Sequence, residues 1–79
     1  MRHLQTGTLV RVRWIDSATA AGWVHKTEAF EPVTVDSVGT LVRQTKLSIT
    51  LASTIGNEGQ SYLEALSIPR GCILKMERL

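Results

Sequence analysis

Cysteine is nearly absent. Cys72 stands alone among 79 residues. One thiol excludes an internal disulfide and fits a reducing cytoplasm. Histidine is almost as scarce. His3, His25 and Cys72 are isolated from one another, so no pair has the spacing of metal ligands. No metal and no other cofactor is expected. No apolar run approaches the roughly 18 residues of a membrane span. Met1-Arg2-His3 leads into no signal-type apolar segment. The expectation is a soluble cytoplasmic protein with no membrane partner. Charge of one sign is also lacking. Nine Lys and Arg against seven Asp and Glu leave a formal charge of +2. That is too little for a non-specific nucleic-acid coat. There is no Walker-type loop and no Gly-x-Gly-x-x-Gly.

What is present is globular. Hydrophobic residues make up 43% and charged residues 20%, enough for one thin core. A single domain over residues 1–79 is expected. Strand signals dominate it. Leu9 to Ile15 alternates, with Val10, Val12 and Trp14 on one face and Arg11, Arg13 and Ile15 on the other. Asp16-Ser17 favours a turn. Residues 17–31 read as one long connection, with Trp23-Val24 an apolar island in small residues. Val33 to Arg43 reads as a long strand in which Gly39 marks a bend or bulge. Gln44-Thr45-Lys46 suits a tight turn, and Leu47, Ile49 and Leu51 alternate beyond it. Ile55 to Gly59 is a loop whose two glycines suit positive φ. Tyr62 to Ile68 fits a strand better than a helix start. Pro69-Arg70-Gly71 breaks it, and Cys72 to Leu79 forms the last strand.

These signals predict an all-β protein, a small five-stranded antiparallel barrel with one long loop over about 17–31. Its expected core is Val10, Val12, Trp14, Val35, Leu41, Leu47, Ile49, Leu51, Ile68 and Ile73.

The second half carries a pattern. Ser37 to Val42, Leu47 to Leu51 and Leu66 to Met76 form a bent glycine-bearing strand, a hairpin partner and an Arg-Gly turn before the closing strand. This order is similar to small SH3-like barrels and loosely to Sm-like proteins. The chain lacks the N-terminal helix and the Asp-x-x-x-Asn loop of the Sm pattern. Nearly the whole chain resembles short proteins encoded by bacteriophages and prophages. The shared features are Trp14-Ile15-Asp16-Ser17, Gly22-Trp23, Ser37-Val38-Gly39 and the Ile-Pro-x-Gly-x-Ile ending from Ile68 to Ile73. The resemblance implies an SH3-like fold and a phage protein acting in the cytoplasm of an infected bacterial host.

No catalytic set is legible, and no enzymatic activity is expected. Asp16 and Asp36 could pair as acid and base, and His25 lies in a loop where a base could sit. Adjacent Asp16 and Ser17 read instead as a backbone-capping turn. Gly56-Asn57-Glu58-Gly59 has the letters of a KH-type loop, but strands flank it and Glu58 would repel phosphate. The candidate ligand-binding residues are Arg11, Arg13, Trp23, Arg43 and Arg70, since guanidinium binds phosphate through a planar fork. Trp23 either staples its loop or offers a stacking face. Three functions follow as expectations. The first is a non-catalytic module sequestering a nucleotide-type ligand, such as a signal of host antiviral defence. The second is single-stranded RNA binding. The third is a protein-interaction adaptor blocking a host protein, or a minor virion component. Apolar Ile15, on the face away from the presumed core, points to a homo-oligomer.

Overall fold

The computed structural model describes residues 4–17, 23, 25–27 and 31–79. Most of the expected 17–31 connection therefore lies outside the described residues. Strand β1, Leu9–Asp16, buries Val10, Val12 and Trp14 and exposes Arg11, Arg13 and Ile15, the alternation the sequence predicts. Strand β2 is Val33–Gln44, β3 is Ser48–Gly56, β4 is Ser61–Pro69 and β5 is Ile73–Arg78. They form one antiparallel sheet in the order β4-β3-β2-β1-β5. The expected five-stranded all-β fold is present, and Tyr62 to Ile68 is strand. The sheet is open, with β4 and β5 as its two edges. Among the described residues no helix is long and apolar enough to cross a membrane.

Strand β2 serves two partners in turn. Its first part, Val33 to Thr40, pairs with β1; from Thr40 to Gln44 it pairs with β3. Gly39 sits at the changeover. A Cβ placed there would lie 3.0 Å from the Ala52 carbonyl oxygen and 3.2 Å from Leu51 Cβ. The glycine is required by close approach of β3. Two bulges add curvature. Val42 is an extra residue opposite β3, where the register shifts between Leu41 and Arg43. Leu74 is an extra residue opposite β1, which brings Ile73 and Met76 to the same packed side while Leu74 turns outward.

The core is Val10, Val12, Trp14, Leu41, Ile49, Leu51 and Ile68, with Leu4, Val35, Cys72, Ile73 and Met76 packed against it. Cys72 thus packs as a small hydrophobe. Leu47 corrects the expected core list, because it is 81% exposed. It belongs to the turn before β3. The Thr45 hydroxyl accepts the N–H groups of Leu47 and Ser48 at 3.2 and 3.0 Å, so the strand begins one residue later. The β3–β4 turn holds a second correction. Gly56 is extended at φ −129°, and the positive φ angles fall on Asn57, Glu58 and Gly59.

Candidate functional site

Period-two alternation puts Arg11 and Arg13 on the outer face of β1, and register decides what they meet. Arg13 lies between Asp36 of β2 and Lys75 of β5; Arg11 lies between Val38 and Glu77. Arg13 grips Asp36 with two hydrogen bonds. Nε donates to Oδ1 at 3.0 Å and Nη2 donates to Oδ2 at 3.2 Å. Arg11 Nη1 is 3.3 Å from Glu77 Oε1, and Lys75 Nζ is 3.7 Å from Glu77 Oε2. Arg11, Arg13, Asp36, Lys75 and Glu77 together line a shallow, polar depression of about 80 Å³.

Three cations face two carboxylates there, so the patch keeps an excess positive charge. The Arg13 hydrogen bonds hold the Asp36 carboxyl below its ordinary value, with desolvation opposing them and the charges of Arg13 and Arg11 assisting. The same bonds raise Arg13. A guanidinium carries five N–H donors. Asp36 takes two from Arg13, which fixes the plane of the fork and leaves the others available. The side chains are about half exposed, so these ion pairs hold their partners weakly and an incoming anion can share them.

The other expected residues do not line this depression. Arg43 is exposed on β2 opposite Thr50, with no carboxylate at ion-pair distance among the described residues. Arg70 does structural work. Its Nε donates to the Thr45 carbonyl at 2.6 Å, and its backbone N–H donates to the Leu47 carbonyl at 2.8 Å, tying two turns together. Trp23 is fully exposed, so no packing against the sheet supports a staple. His25 is engaged locally, its Nδ1 accepting the Thr27 N–H at 3.2 Å. The imagined Asp16–Asp36 pair does not form. Asp16 stands opposite Val33 and accepts the Ser17 N–H at 2.9 Å, while Asp36 is held by Arg13.

Sequence reasoning missed the acidic half of the site, Asp36 and Glu77. Their alternation with core residues was visible, but their pairing with Arg13 and Arg11 depends on strand register.

A second hollow opens where β2 leaves β3. Ser37, Val38, Leu51, Ala52, Ser53, Glu64 and Leu66 surround a cleft of about 220 Å³. The Trp14 indole N–H donates to Ser37 Oγ at 3.0 Å beside it. Fold and surface together define an all-β protein with a charge-paired outer face and an adjoining cleft. No protein-family model, no curated protein and no solved structure matches the chain.

Proposed function

We propose that this protein is a non-catalytic binding module for a phosphate-bearing, nucleotide-type ligand. The observation that carries the reading is the Arg11–Arg13 patch: two guanidiniums on one strand face, oriented by Asp36 and Glu77, with donors left over and a net positive charge. Guanidinium forks bind phosphate at two points. The exposed indole of Trp23 supports the same reading, because a bare aromatic face suits base stacking. In an infected bacterial cell such a module would sequester a nucleotide signal of antiviral defence. Its near relative is single-stranded RNA binding by the same surface.

The proposal includes self-association. Ile15 stays 39% exposed on this outer face, beyond Arg13 on the same strand, and a second copy packed there would cover it. A protein-partner reading draws on the exposed Val38, Leu63 and Leu66.

The test is calorimetric titration of mononucleotides, cyclic dinucleotides and short RNAs at low and high salt. A phosphate contact makes affinity fall steeply as salt rises. Trp23→Ala is expected to keep its melting temperature and lose about tenfold or more in affinity, since base stacking is worth roughly 1–3 kcal/mol. Arg13→Ala is expected to lower affinity and flatten the salt dependence. Absence of heat with every nucleotide and RNA would overturn the reading and leave the protein-partner one.

A further inference from the structure

The sheet forks. Strand β2 pairs with β3 only from Thr40 onward, so Val33 to Gly39 has β1 on one flank and no strand partner on the other among the described residues. The vertex is Gly39, against which the Ala52 carbonyl closes. Beyond it, Thr54 to Gly56 of β3 pairs with Ser61 to Leu63 of β4 and no longer with β2. Backbone direction follows from Leu41. Its N–H donates to the Thr8 carbonyl and its carbonyl accepts the Gly7 N–H, both on the side of β1. That direction alternates along a strand, and the register with β1 is unbroken from Thr40 to Val33. Thr34, Asp36 and Val38 therefore turn their N–H and C=O groups into the fork, and all three are exposed. A row of unpaired strand groups is a template for another strand.

The fork opens onto the hollow lined by Ser37, Leu51, Leu66 and Glu64. Ser37 stands opposite Val12 and bonds Trp14, so the hollow is on the face away from Arg11 and Arg13. Leu51 and Leu66 are cross-strand partners and wall it. Glu64 interrupts the β3–β4 ladder. Ala52 pairs with Ala65 and Thr54 with Leu63, but the Ser53–Glu64 step between them is unpaired. The Glu64 backbone lies at φ +55°, in the left-handed region that side chains with a Cβ rarely adopt. Strain of this kind collects at binding surfaces. No Lys or Arg among the described residues is at ion-pair distance from Glu64. Ser53 Oγ is 3.4 Å from Oε2 but also donates to the Leu63 carbonyl at 3.1 Å, so the carboxylate stays open to a cation. A cavity of about 150 Å³ takes a benzene ring, so the 220 Å³ here has room for one long side chain.

We propose that the fork is a strand-addition site for a basic peptide. An extended segment of a partner protein lies antiparallel to β2, about 4.7–4.9 Å away, and bonds to Thr34, Asp36 and Val38 through its main chain. Its residue opposite Ser37 points into the hollow, because cross-strand partners share a face. Lysine or arginine suits that position. The methylene stem lies along Leu51 and Leu66, and the charged head meets Glu64. The two flanking residues point to the outer face beside the exposed Val38 and Asp36, where β-branched side chains pack well. A second copy fits less well. Twofold pairing centred on this flank would set Asp36 opposite its own twin, and like charges opposed across strands destabilise. The seat is on the other face from Arg11 and Arg13, so the proposal does not depend on nucleotide binding there.

The probe is the peptide Thr-Val-Thr-Lys-Thr-Val-Thr, capped at both ends, labelled, and titrated into the full chain by fluorescence anisotropy. One companion peptide carries Glu in place of the central Lys. A second is N-methylated at the two Thr residues flanking that Lys. Hydrogen exchange of the Thr34, Asp36 and Val38 amides is followed with and without peptide. The Lys peptide is expected to bind and to protect those three amides. N-methylation deletes two main-chain donors and should weaken binding by about tenfold or more. The Glu peptide should bind about threefold or more weakly, a modest difference because Glu64 is exposed. Glu64→Lys should reverse the order of the Lys and Glu peptides. Glu64→Gln should erase it, and serves if the Lys variant misfolds. Unchanged binding of the N-methylated peptide overturns strand addition. A Lys preference that survives both variants overturns the seat at Glu64. Failure of all three peptides to bind overturns the whole proposal. So does protection of the three amides in the free chain: its loss on dilution assigns the flank to a second copy, and its persistence assigns the flank to the chain itself.

Discussion

Gly39→Ala should destabilise the protein through one contact. The added Cβ would meet the Ala52 carbonyl oxygen at 3.0 Å and Leu51 Cβ at 3.2 Å. Neither neighbour can give easily. Ala52 is in the β2–β3 ladder opposite Thr40, and Leu51 is a core residue. Overpacking of this kind costs about 1–3 kcal/mol. Removing a glycine from the unfolded chain returns about 0.4–1 kcal/mol. The midpoints of the two ranges leave a net loss of about 1.3 kcal/mol, with about 2.6 kcal/mol as the upper bound, against a total of roughly 4–12 kcal/mol for a chain this short. The midpoint corresponds to a melting point lower by about 5–10 °C. Gly56→Ala is the matched control. Gly56 is extended and has nothing within 4 Å of its virtual Cβ, so alanine there should be neutral or gain about 0.4–1 kcal/mol. Urea unfolding followed by fluorescence of the buried Trp14 compares the two, with unchanged slopes confirming that stability alone has moved. A Gly39→Ala midpoint at or above that of Gly56→Ala would refute the close-approach argument.

Much of the fold was legible because period-two alternation is a local signal. Val10, Val12 and Trp14 against Arg11, Arg13 and Ile15 needed no knowledge of partners. Gly39 was legible as a bend because a glycine inside β-branched neighbours has few other uses. Leu47 was misread because alternation does not show where a turn stops; that depended on the Thr45 hydroxyl capping two backbone N–H groups. Of the two glycines in the β3–β4 turn, Gly59 has the expected positive φ and only Gly56 misled, being extended. Asn57 and Glu58 carry positive φ that residue type alone assigns to glycine. The site was legible by halves. Its cations were visible on one strand, but Asp36 lies 23 residues from Arg13 in the chain, and Glu77 belongs to the last strand. Only register joins them. Glu64 carried no signal at all, since its distinction is a backbone angle.

Self-association and pH give the remaining tests. Sedimentation equilibrium at tens of micromolar should show an oligomer that Ile15→Lys converts to monomer; a monomeric wild type rejects self-association through this face. For pH, the group to follow is Asp36. Its folded carboxyl lies below the ordinary value of 3.8, chiefly because Arg13 hydrogen-bonds to its charged form. A depressed carboxyl pKa adds stability above the unfolded value and loses it as pH falls through the folded one. Asp36→Asn should therefore be less stable than wild type at neutral pH, and the two should converge below about pH 3.8. Because the pair is exposed, added salt should narrow the gap at neutral pH too. Carbon-13 titration of the Asp36 carboxyl reads the same quantity directly. A midpoint at or above 3.8 would mean that Arg13 does not hold Asp36 in solution. The Arg13 fork would then lose its anchor, and with it the reason to expect that it meets a phosphate already oriented.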